Sequence, residues 1–249
     1  MYPILFSIGR VNVYTHGVMI VLGIIVGSTI LYLLAKKKDL ETDFLFDTIV
    51  YSVFAGLIGA RLAYIVIYHN QFASLKEMLF IWYGGLVSFG GMIGGFLVAW
   101  AILHYKKKPV GEWFDLGIIG FLVGWGIGRI GCLLAGDSLG IVSASKLAIW
   151  GRLPTQLFES LWVLIVAGAC YWLSIKKPAW NLPDGFIFLA GIGGYAIGRF
   201  IIDFFRDEAA IFYSFKASQL ASFLIFVIVA FMMGVMIKRL KTHHLREEF

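Results

Sequence analysis

The chain has 249 residues, of which 60% are hydrophobic and only 14% are charged. Because an ordinary soluble domain carries charge on about a quarter of its residues, this composition excludes a water-facing globular protein. The net charge of +6 is spread over short clusters between long apolar runs, which is typical of membrane topology and excludes nucleic acid as a partner. We predict an all-α integral membrane protein with a single domain over residues 1–249.

A membrane-spanning helix needs about 20 apolar residues, and seven stretches of the sequence meet this requirement. In chain order they are residues 14–35, 44–67, 82–104, 113–135, 155–175, 184–204 and 215–237. The clusters of Lys and Arg each follow an odd-numbered stretch: Lys36 to Lys38, Lys106 to Lys108, Lys176 with Lys177, and Lys238, Arg239, Lys241 and Arg246. With seven crossings, all clusters lie on the cytoplasmic side, so the N-terminus faces outside and the C-terminus is cytoplasmic. An even number of crossings breaks this agreement, so the charge pattern favours seven over six or eight.

Glycines recur at helical spacing in the third and fourth stretches. Gly120, Gly124 and Gly128 are each four residues apart, and removing side chains along one stripe lets helices approach closely in lipid. The dense doublets Gly84-Gly85 and Gly90-Gly91 instead predict that the backbone bends or leaves the helix at membrane depth.

Ionisable residues inside the apolar stretches are the strongest functional signal, because each is costly in lipid unless it is paired or hydrated. They are Arg61, Arg129, Glu159, Arg199, Asp203 and Arg206. The last three share one helix face, so Asp203 is expected to pair with either neighbouring arginine. Arginine suits phosphate, and all of these residues except Arg61 map to the outer half of the membrane, so they predict a site for a phosphate-bearing ligand near the outer side. The alternative is a structural network of salt bridges between helices.

Five sequence blocks, in order, resemble those of the bacterial prolipoprotein diacylglyceryl transferases. Gly128-Arg129-Ile130-Gly131, followed by Gly136-Asp137 and Gly140, is similar to the family signature G-R-I-G-N with its later G-E and Gly. The other matching blocks begin at Gly59, Gly84, Pro154 and Gly198, and a weaker one is Ser218-Gln219-Leu220.

The resemblance implies a fold of seven membrane helices and a defined reaction. That reaction moves the diacylglyceryl group of phosphatidylglycerol onto the lipobox cysteine thiol in the signal peptide of a prolipoprotein, in the bacterial cytoplasmic membrane. By position, Arg129 and Arg199 would hold the lipid phosphate and stabilise the departing glycerol phosphate. The remaining residues expected to bind substrate or orient these arginines are Asp137, Gly140, Glu159, Asp203 and Arg206. The resemblance implies no metal or organic cofactor. The protein is expected to be surrounded by membrane lipid.

The sequence also departs from the family pattern. Phe89 stands where the family commonly has a histidine that is a candidate general base, and Cys132 replaces the signature asparagine. Asp137 and Asp203 shorten two family glutamates, and His16 occupies a position that is usually tyrosine. A phenyl ring cannot take a proton, so the base must differ in this chain or be unnecessary.

Three interpretations of these departures stay open. His16 is a candidate catalytic base, although an interfacial helix-capping role competes with it. Alternatively, the arginines favour the substrate thiolate and no base is needed. Thirdly, the protein binds lipid or lipoprotein on the same fold without catalysis. Cys132 is interpreted as a packing cysteine, since its neighbours in sequence are apolar and supply no base. A transporter or channel for anions explains the arginines but not the ordered blocks.

Overall fold

The computed structural model describes residues 1–9, 11–72, 74, 77–78, 84–210, 213 and 215–247. Lys76 and the predicted start of the third span at Trp82 lie outside these residues. Within the described part of the chain, seven helices are long and apolar enough to cross a membrane, which confirms the prediction of a polytopic helical membrane protein. Which side each terminus faces stays a prediction.

The elements follow one another in a simple order. The α-helices are α1 (Thr15–Lys37), α2 (Leu45–Ile67), α3 (Ser88–Tyr105), α4 (Val110–Ala135), α5 (Thr155–Lys176), α6 (Phe186–Ile202) and α7 (Ala217–Glu247). Short 3-10 helices cover His69–Gln71 and Asp203–Phe205. Most bounds lie within three residues of the predicted spans, but α7 continues to Glu247, past the predicted end at residue 237, because a helix need not stop where its apolar segment ends.

The start of the third span was predicted wrongly. Instead of beginning at residue 82, α3 begins at Ser88, and the backbone at Gly84 and Gly85 has φ values of +84° and +80°. Only glycine adopts this left-handed region readily, so the chain leaves the helical path there, as the first doublet predicted. The second doublet, Gly90-Gly91, lies inside α3, so the chain does not leave the helix there.

A feature that the sequence did not predict is an antiparallel hairpin of strands β1 (Ile4–Ile8) and β2 (Val11–Tyr14). It leads directly into α1. The amide of Tyr2 donates to the carbonyl of Leu134 at 2.7 Å, and the Thr15 hydroxyl donates to the carbonyl of Tyr2 at 2.5 Å. The N-terminal segment therefore fixes the first turn of α1 against the last turn of α4.

The chain divides into two compact units, residues 1–34 with 111–249 and residues 35–110. The one-domain prediction for residues 1–249 stays a prediction. The first unit has its apolar core between α4, α5 and α6, where eight side chains are buried together: Ile118, Ile119, Leu122, Val163, Val166, Ala167, Cys170 and Ile187. Many apolar side chains on the spanning helices are exposed, and we expect them to face lipid.

Helices α1 and α4 of the first unit pack through glycines. A Cβ placed on Gly23 would lie 2.5 Å from the carbonyl oxygen of Gly124, and one on Gly27 would lie 2.5 Å from that of Gly120. Gly128 faces open space, so its predicted part in the stripe was wrong. The close contact continues instead at Gly131, where a Cβ would lie 2.6 Å from Cβ of Met19. The helices cross so that Gly131, and not Gly128, faces α1.

Near the start of α4, the buried carboxylate of Asp115 joins this helix to the start of α6. It accepts hydrogen bonds from the backbone amides of Gly185 at 3.1 Å and Phe188 at 2.9 Å, and from Nζ of Lys177 at 2.7 Å. Burial by itself lowers the pKa of Lys177, but the carboxylates of Asp115 and Asp184 outweigh it and raise that pKa above its ordinary value. The lysine therefore stays charged and holds the ends of α4, α5 and α6 together.

In the second unit, α2 packs closely against α3. A Cβ on Gly56 would lie 3.1 Å from the carbonyl oxygen of Gly91, and one on Gly94 would lie 2.5 Å from that of Ala55. The glycines of α3, including the second doublet, thus serve helix packing, as their four-residue spacing predicted.

Candidate functional site

The centre of the candidate site is one buried carboxylate between two arginines from neighbouring helices. Glu159 lies in the first turns of α5, Arg129 in α4 and Arg199 in α6. Oε2 of Glu159 accepts hydrogen bonds from Nη2 of Arg129 and, at 2.7 Å, from Nη1 of Arg199. The structure therefore brings together three of the charged residues that the sequence singled out.

The other oxygen of Glu159 is held by two aromatic residues. Oε1 accepts from Nε1 of Trp125 at 3.1 Å and from the hydroxyl of Tyr195 at 3.5 Å. The two rings pack edge to face, with centroids 5.9 Å apart. Glu159 is 1% exposed and has donors on both oxygens. It is therefore saturated, and its effect is to fix the directions of the two guanidinium groups.

A second carboxylate extends the cluster along the end of α6. Asp203 lies 3.2 Å from Nε of Arg199 and 3.4 Å from Nη1 of Arg206, so the predicted pairing of Asp203 with both arginines is confirmed. Arg206 also contacts the partly exposed Glu208 at 2.6 Å. These pairs follow from the helical spacing of residues 199, 203 and 206.

A further buried cation, Lys216, was not among the residues that the sequence singled out. Its Nζ donates to the backbone carbonyls of Asp203 and Arg206, and the residue is 8% exposed. The signal was present in the sequence, since Lys216 lies two residues before the weak final block that begins at Ser218. These hydrogen bonds hold the backbone at Asp203 and Arg206, and so help to position both side chains.

The buried charges of this cluster do not cancel. Among the described residues, four buried cations face two buried carboxylates, a net charge of +2 that the partly exposed Glu208 beside Arg206 reduces to +1: Arg129, Arg199, Arg206 and Lys216 against Glu159 and Asp203. In addition, the Nε groups of Arg129 and Arg206 are buried without a hydrogen-bond partner in the described part of the chain, and Nε of Arg199 lies 3.2 Å from the Asp203 carboxylate. Buried donors are usually satisfied, so the arrangement suits an anion with several acceptor oxygens.

His16 joins the cluster through a cysteine. Nδ1 of His16 lies 3.5 Å from Sγ of Cys132, and Nη1 of Arg129 donates to the same sulfur at 3.5 Å. The expectation that Cys132 has no neighbouring base was therefore wrong, whereas its burial agrees with a packing role. The base comes from α1, which is distant in sequence, so the apolar neighbours of Cys132 along the chain gave no sign of it. Cys170, by contrast, lies in the apolar core.

Two signature residues lie outside the ion-pair network. Asp137 is exposed, and its contribution is a backbone carbonyl that accepts from Nε2 of Gln156 at 2.6 Å. Gly140 is buried and pairs with Arg206 as an antiparallel bridge. A Cβ on Gly140 would lie 3.0 Å from the carbonyl oxygen of Phe205, so glycine lets this loop pass beside the cluster.

Arg61 and Phe89 belong to the second unit. Arg61 is buried, and its guanidinium donates to four backbone carbonyls at 2.7–3.0 Å: those of Glu77, Met78, Gly84 and Gly85. The arginine therefore fixes the chain before α3. Phe89 lies in the first turn of α3 and is 42% exposed.

The seven apolar helices and the buried arginine–carboxylate cluster define a polytopic membrane protein with buried ion pairs between its helices. Residues 3–235 match the family model described as prolipoprotein diacylglyceryl transferase. Because this match covers most of the chain, the protein belongs to that family of membrane transferases.

Curated relatives agree with the family assignment. The chain is 31% identical to phosphatidylglycerol–prolipoprotein diacylglyceryl transferase 1 of Clostridium perfringens, over 90% of each chain. It is 30% identical to the transferase of Clostridium kluyveri, over 90% of this chain and 92% of the relative. It is 28% identical to that of Limosilactobacillus reuteri, over 90% of this chain and 87% of the relative.

Proposed function

We propose that this protein transfers the diacylglyceryl group of phosphatidylglycerol to the lipobox cysteine thiol in the signal peptide of a prolipoprotein. The product is a thioether, and glycerol phosphate is released. The names of the relatives support this reaction, and so does one observation in the structure: Arg129 and Arg199 converge on the single buried carboxylate of Glu159. We place the reaction in the bacterial cytoplasmic membrane, with the cluster near its outer side.

The proposed chemistry is a displacement at carbon. The acceptor sulfur attacks the glyceryl carbon that carries the phosphate, a carbon–sulfur bond forms, and the carbon–oxygen bond breaks. Its electron pair leaves with glycerol phosphate. The lipid phosphate is a singly charged diester, and the released monoester approaches a charge of −2 because its second pKa is about 6.

A cluster with excess positive charge stabilises this change. Arg129 and Arg199 would bind the phosphate and meet the charge that develops on the leaving oxygen, since fixed donors in a buried site need no reorganisation during the reaction. Glu159, Asp203 and Arg206 would orient them and the headgroup. We assign Asp137 and Gly140 to the substrate-facing loop that borders Arg206.

His16 is the proposed general base. Phe89 cannot accept a proton, whereas His16 is half-buried beside Cys132 and Arg129. An imidazole has a suitable ordinary pKa for taking the proton of the acceptor thiol near neutral pH.

The experiment is transfer of labelled glyceride from phosphatidylglycerol to a lipobox peptide by the purified protein in lipid vesicles. The wild type is expected to transfer, and Arg129→Ala and Arg199→Ala are each expected to lose activity by about 100-fold or more, as for removal of an oxyanion donor. Arg239→Ala, at an exposed arginine in α7, is the matched control and should keep wild-type activity. Full activity of both site variants would contradict the phosphate site.

The departure at Phe89 favours a second candidate function, a protein that binds lipid or lipoprotein without catalysis. Complementation separates the two functions. Cells depleted of their own transferase should regain lipoprotein modification if the protein is the enzyme. Normal expression without modification would support the binding protein instead.

A further inference from the structure

Three groups form a continuous chain at the junction of α1 and α4: the imidazole of His16, the thiol of Cys132 and the guanidinium of Arg129. The sulfur lies 3.5 Å from Nδ1 of His16 and 3.5 Å from Nη1 of Arg129. Cys132 is 6% exposed, so water does not replace either contact readily. The thiol thus lies between the proposed base and a proposed phosphate ligand.

The packing that creates this contact is specific. Gly131, next to Cys132, has no side chain, and a Cβ there would lie 3.6 Å from Cα of His16 and 2.6 Å from Cβ of Met19. The first turn of α1 is also held by the hydrogen bond from Thr15 to Tyr2. His16 is therefore fixed against Cys132 by its backbone as well as by its side chain.

The contact with Cys132 decides which ring nitrogen of His16 stays uncontacted. Nη1 of Arg129 carries only donors, so the sulfur accepts from it. The same sulfur lies against Nδ1 of His16, so Nε2 is the ring nitrogen on the side away from this contact. Within the described residues, no group forms a hydrogen bond with Nε2 of His16. This nitrogen is free to face the acceptor thiol.

We propose that Cys132 is the positioning residue of the base: it holds Nδ1 of His16, keeps Nε2 as the proton acceptor, and couples the base to Arg129. This inference rests on the proposed function. In the reaction, Nε2 takes the proton of the acceptor thiol, the thiolate displaces glycerol phosphate, and the proton then leaves His16 for water or for the released phosphate. Cys132 forms no covalent bond with substrate.

Among the described residues, two charged groups act on His16. The guanidinium of Arg129 contacts the same sulfur as His16. The exposed carboxylate of Asp137, in the loop after α4, interacts electrostatically with the imidazole. A pH profile that reports His16 therefore depends on Cys132, Arg129 and Asp137. Removing the thiol changes one of these and leaves the two charges in place.

The test is the pH dependence of transfer in vesicles that contain phosphatidylglycerol and a lipobox peptide. Cys132→Ala is expected to lower kcat by about tenfold, the size of one hydrogen bond, and to move the pH of half-maximal rate. Cys132→Ser, which keeps a hydrogen-bonding group, should recover part of the rate and the wild-type profile. Cys170→Ala, at the cysteine of the apolar core, is the matched control and should leave the profile in place.

Coupling is measured with the double variant His16→Gln/Cys132→Ala. If the thiol acts through the imidazole, loss of Cys132 adds little once His16 is gone. A double variant whose loss is the product of the two single losses overturns the proposal, as does an unchanged pH profile in Cys132→Ala.

A second readout does not need transferase activity. The ¹⁵N chemical shifts of the His16 imidazole are followed against pH by NMR in detergent, in the wild type and in Cys132→Ala, with His16→Gln to assign the signals. Shifts that change when the thiol is removed support the contact, and identical titrations overturn it. Absence of transfer by the wild type would overturn the proposed function, and the NMR result would still decide the contact.

Discussion

Nη1 of Arg199 lies 2.7 Å from Oε2 of Glu159, although the two residues are 40 positions apart in the chain. The same oxygen accepts from Arg129, so one atom joins α4, α5 and α6. Because Trp125 and Tyr195 occupy the other oxygen, Glu159 has no capacity left to bind substrate. Its effect on catalysis must pass through the arginines.

We therefore expect Glu159→Gln to lose most of the transfer activity and to be less stable. The amide keeps the shape but takes the Glu159 counter-charge from Arg129 and leaves Arg199 with Asp203 alone, and breaking a buried ion pair costs about 3–5 kcal/mol. Thermal unfolding in detergent and the transfer assay measure the two effects. Asp207→Asn makes the same chemical change at an exposed pair with Arg152 and should change stability by less than about 1 kcal/mol. Equal stability of the two variants would show that the Glu159 pairs contribute little.

Lys216→Met is expected to lower kcat more than it raises KM. The methionine fills the buried space but donates no hydrogen bond, so the carbonyls of Asp203 and Arg206 lose their partner and the second carboxylate shifts. Lys216→Arg, which keeps donors, should recover part of the rate. Lys146→Met, at an exposed lysine, serves as the control, and a Lys216→Met enzyme as active as this control would exclude a positioning role.

Gly120→Ala is expected to destabilise the protein by about 1–3 kcal/mol, because the added methyl group would collide with the backbone of Gly27 on α1. Gly117→Ala, on the same helix, faces open space and should be neutral or stabilising by up to about 1 kcal/mol, since alanine favours helix. Thermal unfolding of the two variants under one condition provides the comparison. If both lose stability equally, the close contact of α1 with α4 is not the cause.

In the second unit, Arg61→Lys is expected to loosen the chain before α3. Lysine keeps the charge but lacks the planar fork that reaches the carbonyls of Glu77, Met78, Gly84 and Gly85. Hydrogen exchange at residues 84–87 should become faster, while exchange in the middle of α2 stays slow. Arg239→Lys is the matched control, and slow exchange at 84–87 in both variants would contradict the role of Arg61.

The sequence alone determined the properties that depend on neighbours along the chain. Seven apolar runs of spanning length predict seven helices, because length and hydropathy are local quantities. The pairing of Asp203 with Arg199 and Arg206 was equally accessible, since helical spacing alone brings these residues to one face. The ordered motif blocks identified the family, and the glycine doublet before α3 predicted a departure from the helix.

Only the tertiary structure decided which distant residues meet. The four-residue glycine repeat was visible, yet the rotation of α4 selects Gly131 over Gly128 to face α1. That rotation brings His16 to Cys132 and turns a cysteine with apolar neighbours in sequence into a hydrogen-bonded one. Lys216 contacts the backbone of Asp203, which lies 13 residues earlier in the chain, so helical spacing does not predict this contact. Such contacts depend on how whole helices pack, and that packing is a property of all their side chains together.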